Sequence, residues 1–418
     1  MTGRQDDSGR VPAQGLARRA VIYFRMMGPY QLARVNAAAE RVPVTGIEGA
    51  RRSLVYAWEP RDGDTRFERH VLFDSALEKQ SAQAIVAATE AALHAADPDI
   101  VCITGWSHSE ALTMLRWARR RRRHAILLSE STEHDHDRTR IREAVKRRLV
   151  GLCDAALVGG QPQRAYAERL GLPGDRIFLG YDAVDNDHFR LGADAARIDD
   201  AARRAALGLP ERYFFVSCRF IEKKNLVRLI EAYAMYLAAA RNETWDLVIA
   251  GDGEQRAALE ALVRARALAP RVHFLGFRQY DDLPTLYGLA GGFVHVSTVE
   301  QWGLVVNEAC AAGLPVIVSD RCGCVEDLVE PGANGWRVDP FDTGAIASAL
   351  GELASPDTDR AAMAARGREI VSRYGPSRFG EGLAEAIAAA RRSPPRGLGW
   401  FDDWLLRTLA ARNTSDTS

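Results

Sequence analysis

Two clusters in the second half of the chain place charged side chains where an anion could be held. In Cys218-Arg219-Phe220-Ile221-Glu222-Lys223-Lys224-Asn225, Arg219 and Lys224 stand five apart, directly after an apolar run and directly before a helical one. Such a pair can straddle a diphosphate, the guanidinium as a bidentate fork and the ammonium as a point charge. An exposed basic surface loop would show the same spacing. In Glu300-Gln301-Trp302-Gly303-Leu304-Val305-Val306-Asn307-Glu308, Gly303 sits where a helix begins. The amides of Gly303, Leu304 and Val305 are then donors without intrahelical partners, aimed at an anion. Glu300 and Glu308 bracket that helix start and suit two parts of one ligand, a sugar hydroxyl and a ribose diol. An exposed helix position is the alternative for Glu308, but the small-residue tract Ala309-Cys310-Ala311-Ala312-Gly313 that follows is built for close packing.

Ligands of open α/β sheets bind beyond the carboxyl ends of the strands, so the segments preceding these clusters decide whether they can act. Apolar runs predict strands at Ala20–Phe24, Ser53–Ala57, His70–Phe73, Ile100–Thr104, Ala125–Ser129 and Ala155–Val158, with Ile177–Phe178 leading into the loop GYDAVDNDHF. Helices are predicted between them at Tyr30–Glu40, Ser81–Ala95, Glu110–Arg120, Arg138–Val150 and Pro162–Leu170. From Asp194 to Ala206 the chain turns alanine- and charge-rich without a strand pattern, which marks a domain boundary. The alternation then restarts, with strands at Tyr213–Cys218, Trp245–Ala250, Val272–Leu275, Gly292–Val296 and Val316–Ser319. Helices at Leu226–Ala240, Glu254–Ala267, Leu283–Leu289 and Val305–Ala312 separate them. Strands alternating with helices imply mostly parallel sheets covered on both faces. The expected class is α/β, with two Rossmann-like domains facing each other across a cleft. Residues 1–19 read as a polar leader, 20–193 as the first domain and 194–375 as the second. Residues 376–412 read as helices (Pro376–Arg392, Gly399–Arg412) that cross back to the first domain, and 413–418 as a disordered tail.

A length of 418 residues suits two such domains. Lys plus Arg balances Asp plus Glu at 55 each, so no global field draws the chain to nucleic acid, and none is expected as a partner. The strongest local patch is the arginine run Arg119–Arg123, with Arg142, Lys146, Arg147 and Arg148 nearby in sequence. It reads first as a helix end whose cations complement the dipole, and second as a contact for an anionic acceptor or membrane. Cys102, Cys153, Cys218, Cys310, Cys322 and Cys324 form no C-x-x-C pair and read as reduced thiols. No secretory signal and no run of ~18 apolar residues is present. The expected location is cytoplasmic, with peripheral attachment to the inner membrane face left open. His134-Asp135-His136-Asp137 alternates metal-ligand types, but no complementary cluster accompanies it, so no metal site is expected.

The Arg-x4-Lys-Asn segment, the Gly251-Asp252-Gly253 turn, the Glu300-x7-Glu308 motif with its internal Gly303, and the Gly313-x-Pro-Val-Ile run together resemble the family 4 retaining glycosyltransferases of the two-Rossmann-domain (GT-B) fold, from about Tyr213 to Val338. The resemblance implies that Arg219 and Lys224 hold a donor diphosphate, that Glu300 contacts the transferred sugar and that Glu308 contacts ribose. It also implies that Arg278, in Phe274-Leu275-Gly276-Phe277-Arg278, lines the base pocket. Members carry a Gly-Gly loop after the first strand; here Met26-Met27-Gly28-Pro29-Tyr30 has one glycine, leaving Gly28 for approach to the phosphates. Many members place a histidine near the reacting centre where this chain has Glu130, and His108 is a second polar candidate for that place. The implied activity is metal-independent transfer of a sugar, with retention, from a nucleotide-diphosphate sugar (a UDP- or GDP-sugar) that is a substrate and not a cofactor. The acceptor would be a glycan, lipid-linked or small-molecule hydroxyl. The rival readings are a nucleotide-sugar epimerase on the same architecture and a non-catalytic nucleotide-sugar-binding protein.

Overall fold

The computed structural model describes residues 19–54, 58–60, 65–135, 138–240 and 243–412. The expected leader up to residue 18 and the expected tail from 413 lie outside the described residues. The chain forms two parallel sheets. The first contains β1 (Ala20–Phe24), β2 (Val44–Ala50), β3 (Glu68–Phe73), β4 (Ile100–Thr104), β5 (His124–Ser129), β6 (Ala155–Val158) and β7 (Ile177–Leu179), in the order β3-β2-β1-β4-β5-β6-β7. The second contains β8 (Tyr213–Ser217), β9 (Asp246–Ala250), β10 (Val272–Gly276), β11 (Gly292–His295), β12 (Val316–Ser319) and β13 (Gly335–Val338), in the order β10-β9-β8-β11-β12-β13. Helices cover both faces, so the central strands are buried throughout and read as continuous apolar runs such as Tyr213-Phe214-Phe215-Val216.

β2 escapes the apolar pattern. Its sequence, VTGIEGA, is interrupted by two glycines and a glutamate. Glu48 is tolerated in this buried strand because the Met27 amide donates to one oxygen at 2.7 Å and Arg69 Nε to the other at 3.0 Å. The strand expected at 53–57 is not formed at Ser53 and Leu54, and 55–57 lie outside the described residues.

The chain leaves the first half earlier than residue 194. Helix Asn186–Ile198 runs through that position and buries Phe189, Ala193 and Ala196 in the core of the second half. The helices at the C-terminus do cross back. Helix Pro376–Arg391 places Phe379, Leu383, Ala386 and Ile387 against Ile22, Ile126 and Leu157 of the first sheet. Helix Trp400–Ala410 adds Leu406 and Ala410 to the cluster around Trp117 and Leu149.

The arginine run is not a continuous cationic face. Arg119 is fully buried, donating to Leu152 O and Arg123 O and pairing with Asp154 at 2.9 Å. Arg123 pairs with Asp97 and Asp99, and Arg120 lies 3.8 Å from Asp403. A sequence window cannot separate a cation that closes a helix end from one that faces solvent.

Candidate active site

In each sheet the strand order reverses once, between β1 and β4 in the first and between β8 and β11 in the second. Loops leaving the carboxyl ends on either side of a reversal diverge and leave a crevice. In the second sheet these are the loops after β8 and after β11, which are the two charged clusters. Asn225 ties them together: held at φ +60°, it donates through Nδ2 to Val296 O at 3.0 Å and to Pro340 O at 2.8 Å. Beneath the first loop, Gly251 has φ +136°, and a Cβ there would lie 1.8 Å from Cys218 O, so only glycine lets the β9 turn pass.

Lys224 and Glu300 meet in a largely buried ion pair. Glu300 Oε2 also lies 3.1 Å from His295 Nε2 and accepts from Ser297 Oγ at 3.3 Å. Burial opposes ionisation of Glu300, but Lys224 and His295 outweigh it and hold the carboxyl well below the usual range. Burial likewise opposes the Lys224 charge, and Glu300 overrides it, so the lysine is held more firmly protonated than usual. Burial lowers the pKa of His295, which makes the neutral ring the one that faces Glu300. Arg219 is half-buried after β8. Lys223, depressed first by its own burial, feels Arg219, Lys224 and Glu300 at once, so these three cations share one neighbourhood.

Gly303 ends the second loop at φ +103° and ψ +62° and precedes helix Leu304–Ala311. The Val306 amide already bonds Gly303 O at 2.9 Å, so the amides of Gly303, Leu304 and Val305 come before the helical ladder begins. Further along, Glu308 is wholly buried. Tyr287 Oη donates to its Oε2 at 2.8 Å, and Tyr30 Oη, from the first half, to its Oε1 at 2.5 Å. Burial pushes the Glu308 carboxyl up to about 7, with the two tyrosines restraining the rise. Tyr30 follows Gly28 by two residues in the helix start after β1, so this contact joins the first half to helix Leu304–Ala311. Gly28 is extended, and a Cβ there would meet only Gln31 Oε1, at 3.4 Å.

Arg278 follows β10, and its buried Nε has no hydrogen-bond partner among the described residues. Beside it Phe277 meets Trp58 edge-on at 5.4 Å, and Tyr30 meets Tyr280 at 5.5 Å, an aromatic cluster drawn from both halves. Glu130 directly follows β5; burial raises its carboxyl above the usual range, Glu300 and Asp135 add to the rise, and Arg34 and Asp182 oppose it. His108 precedes helix Ser109–Arg120 at the end of β4. Asp135, of the alternating His-Asp segment, is a loop staple that accepts from Thr132 N and Thr132 Oγ1 at 2.9 and 2.6 Å; His136 and Asp137 lie outside the described residues. Among the described residues no three His, Cys, Asp or Glu side chains gather as a metal site would need.

The structure thus brings Arg219, Lys224, Glu300 and the Gly303–Val305 amides to one crevice, with Glu130 near enough for Glu300 to raise its carboxyl. Glu308 and Arg278 are linked to the first half through Tyr30 and the aromatic cluster. Sequence reasoning missed His295, Lys223, Tyr30, Tyr287, Arg34 and Asp182. His295 alone left a signal, a single ring nitrogen donor inside an apolar strand; the others acquire meaning only from partners remote in sequence.

Residues 199–370 match the family model described as glycosyl transferases group 1. Through that segment the chain is similar to the glycosyl transferases of group 1. The matched segment begins ahead of β8 and ends in the helix Arg360–Val371, so it contains both charged loops. Among curated relatives, the chain is 34% identical over 220 residues to the alpha-D-kanosaminyltransferase of Streptomyces kanamyceticus, covering 51% of this chain and 54% of that one. It is 29% identical over 276 residues to the D-inositol 3-phosphate glycosyltransferase of Corynebacterium urealyticum, covering 64% of each. The chain therefore spans between half and two thirds of these relatives. Among solved structures, Anabaena Alr3699/HepE in complex with UDP and glucose superposes with a TM-score of 0.69 at 18% identity, over 89% of this chain and 100% of that one. The E. coli trehalose-6-phosphate protein bound with UDP-2-fluoro glucose gives 0.69 at 11% identity, over 90% and 100%. At these identities the likeness establishes the GT-B fold.

Proposed function

We propose that this chain is a glycosyltransferase that moves a sugar from a nucleotide-diphosphate sugar to an acceptor hydroxyl, with retention and without a metal ion. The observation that carries the reading is the meeting of Lys224 with Glu300 at the β8/β11 reversal, beside the free amides of Gly303, Leu304 and Val305. Cleaving the bond between an anomeric carbon and a diphosphate builds negative charge on the leaving group and oxocarbenium character on the sugar. Arg219, Lys224 and the helix start stabilise the first in a largely buried site, where fixed donors act strongly. Glu300, kept ionised by Lys224 and His295, faces the second as a hydrogen-bond acceptor for sugar hydroxyls. Glu308 takes the ribose, Arg278 the base, and Gly28 lets backbone approach the phosphates. In this scheme the half built on the first sheet forms the acceptor domain and the half built on the second sheet the donor domain. The complexes of the solved relatives with UDP and UDP-2-fluoro glucose favour a UDP-sugar, with a GDP-sugar next.

The acceptor is a glycan, a lipid-linked glycan or a small metabolite. Attachment to the inner face of an anionic membrane is supported by one surface: Trp400, Phe401 and Trp404 are 84%, 41% and 50% exposed at the start of the last helix, and Arg148 lies over the Phe401 ring. Among the described residues no helix is long and apolar enough to cross a membrane.

Incubating the protein with UDP-, GDP- and ADP-sugars, with and without acceptor mixtures, tests the function. The expected outcome is donor turnover that Lys224→Ala lowers by ~100- to 1000-fold, the effect of losing one preorganised donor worth ~2.7 to 4 kcal/mol. Near wild-type turnover in that variant refutes the assignment. A donor isomerised without any acceptor points to an epimerase, and tight binding without turnover to a non-catalytic protein.

A further inference from the structure

We propose that Gln163, a residue of the first half, is a positioning residue for Glu300: by holding the carbonyl of Gln301 it fixes the loop that carries Glu300, so that the rate of transfer depends on a side chain outside the donor half. The inference rests on the glycosyl-transfer reading of the cleft and adds to it a residue that acts through the loop.

Residues 300–303 run between β11 and helix Leu304–Ala311 with a single bridge, from Glu300 to Cys322. Three carbonyl bonds in a row hold them. Glu300 O accepts from Gly323 N at 2.9 Å and Trp302 O from Cys324 N at 3.1 Å, both donors lying in the turn after β12. In extended backbone successive carbonyls point to opposite sides, so a turn that takes the first and the third leaves the second to another partner. That partner is Gln163, whose Nε2 donates to Gln301 O at 2.6 Å across the two halves. The Gln301 side chain makes a longer contact in the same direction, with its Nε2 lying 3.5 Å from Asp135 Oδ2.

Gln163 is itself fixed. It is 1% exposed, on the first turn of helix Gln161–Arg169, and its Oε1 accepts from Gly160 N at 3.0 Å. With the oxygen spent at the helix start, the nitrogen is left as the donor toward Gln301 O. Gly159 and Gly160 admit the second half at this point, since a Cβ on either would stand 2.8 Å from the buried Trp302 ring. Trp302 Nε1 in turn donates to Asn307 Oδ1 at 2.8 Å. Beside it Gln161 N donates to Asp327 Oδ2 at 3.0 Å, and Tyr374 Oη to Asp327 Oδ1 at 3.1 Å. Tyr374 immediately precedes the segment by which the chain returns to the first half, so the joint lies beside the crossing, where a swing of one half against the other displaces atoms least.

A reacting group has to be held to within about 0.5 Å of its productive place. Without Gln163 the Glu300 loop is anchored from one side only, and its neighbouring peptide is free to turn. Arg219 and Lys224 stand on the other loop, so the grip on the diphosphate is largely kept while the placement of Glu300 is lost. The expected signature is a fall in kcat with little change in KM.

Two variants separate this role from helix capping. Gln163→Glu keeps the length and the acceptor for Gly160 N, and glutamate serves as well as glutamine at this place in a capping box, but it turns an oxygen toward Gln301 O. Gln163→Met removes the donor without adding charge. With UDP-glucose, or whichever UDP-, GDP- or ADP-sugar the wild type turns over, each should lower kcat by ~100-fold, the cost of a displacement of about 1 Å, and change the donor KM by less than about threefold. In a Glu300→Gln background the same changes should cost less than about threefold, because no carboxylate remains to be placed. Amide exchange reads the loop without substrate: the Gly323 and Cys324 amides should exchange at least about tenfold faster in Gln163→Met than in wild type. A wild-type kcat in either variant, a loss that persists in full beside Glu300→Gln, or unchanged exchange overturns the proposal. Should one variant fail to fold, the other decides. If the wild type turns over no nucleotide sugar, the functional reading fails, and amide exchange still shows whether Gln163 holds the loop.

Discussion

Glu308→Gln removes a proton site whose affinity the fold has raised, and the effect on stability can be worked through. The carboxyl has an ordinary value of 4.5 and is pushed up to about 7 by complete burial, with Tyr30 and Tyr287 opposing. Below 4.5 both the folded and unfolded chains carry the proton, and burial of this group costs little. As pH rises through 4.5 the unfolded chain releases the proton while the folded one retains it, so stability falls until the folded carboxyl ionises near 7. The gap of about 2.5 on the pH scale, at about 1.4 kcal/mol each, comes to about 3 kcal/mol. Wild type should therefore lose about 3 kcal/mol relative to Glu308→Gln across that window, and the difference should be constant above it. Urea unfolding of both proteins at a series of pH values measures this. Any fixed effect of the amide on the tyrosines shifts the two curves uniformly and drops out of the slope. A difference that stays flat through the window refutes the burial argument for Glu308.

Gly303→Ala should cost about 1 to 2 kcal/mol, because φ +103° is closed to L-residues even though the nearest atoms to its Cβ, at 3.5 Å, leave room. The melting temperature and the nucleotide-sugar affinity should fall together, and an unchanged melt would contradict the assigned backbone. Tyr30→Phe removes the hydroxyl held by Glu308 Oε1 and should tighten nucleotide binding by roughly 10- to 100-fold, from a charged-group hydrogen bond of about 1.5 to 3 kcal/mol. Calorimetry that gives equal or weaker affinity rules out competition at that oxygen. Flotation on anionic liposomes at low salt should recover the wild type and lose it in Trp400→Ala/Trp404→Ala, whereas wild type that never floats removes the membrane surface.

Much of the architecture was written in local patterns. β1, β4, β6 and β12 coincide with their apolar runs because central parallel strands admit little else. β2 did not show itself because its buried glutamate is balanced by Arg69, 21 residues away, which no window reports. At the site, Arg219, Lys224, Glu300 and Gly303 were legible because their loops lie within short segments that carry both the chemistry and the strand it follows. The tyrosine pair on Glu308 was not, since Tyr30 reaches it from 278 residues away. Glu130 was visible as a departure from the pattern the chain resembles, but its neighbours Arg34 and Asp182 are ones that sequence spacing does not connect to it.

The clasp between Tyr30 and Glu308, with Trp58, Phe277 and Tyr280 folded around it, means that the molecule by itself already rests with its halves engaged. A nucleotide that needs the same carboxylate must wait for that engagement to lapse, so its apparent affinity is its intrinsic affinity scaled by the share of molecules momentarily unclasped. Under the proposed glycosyl transfer the delay would have a use: a cleft kept shut between encounters would give water little chance to take the place of the acceptor.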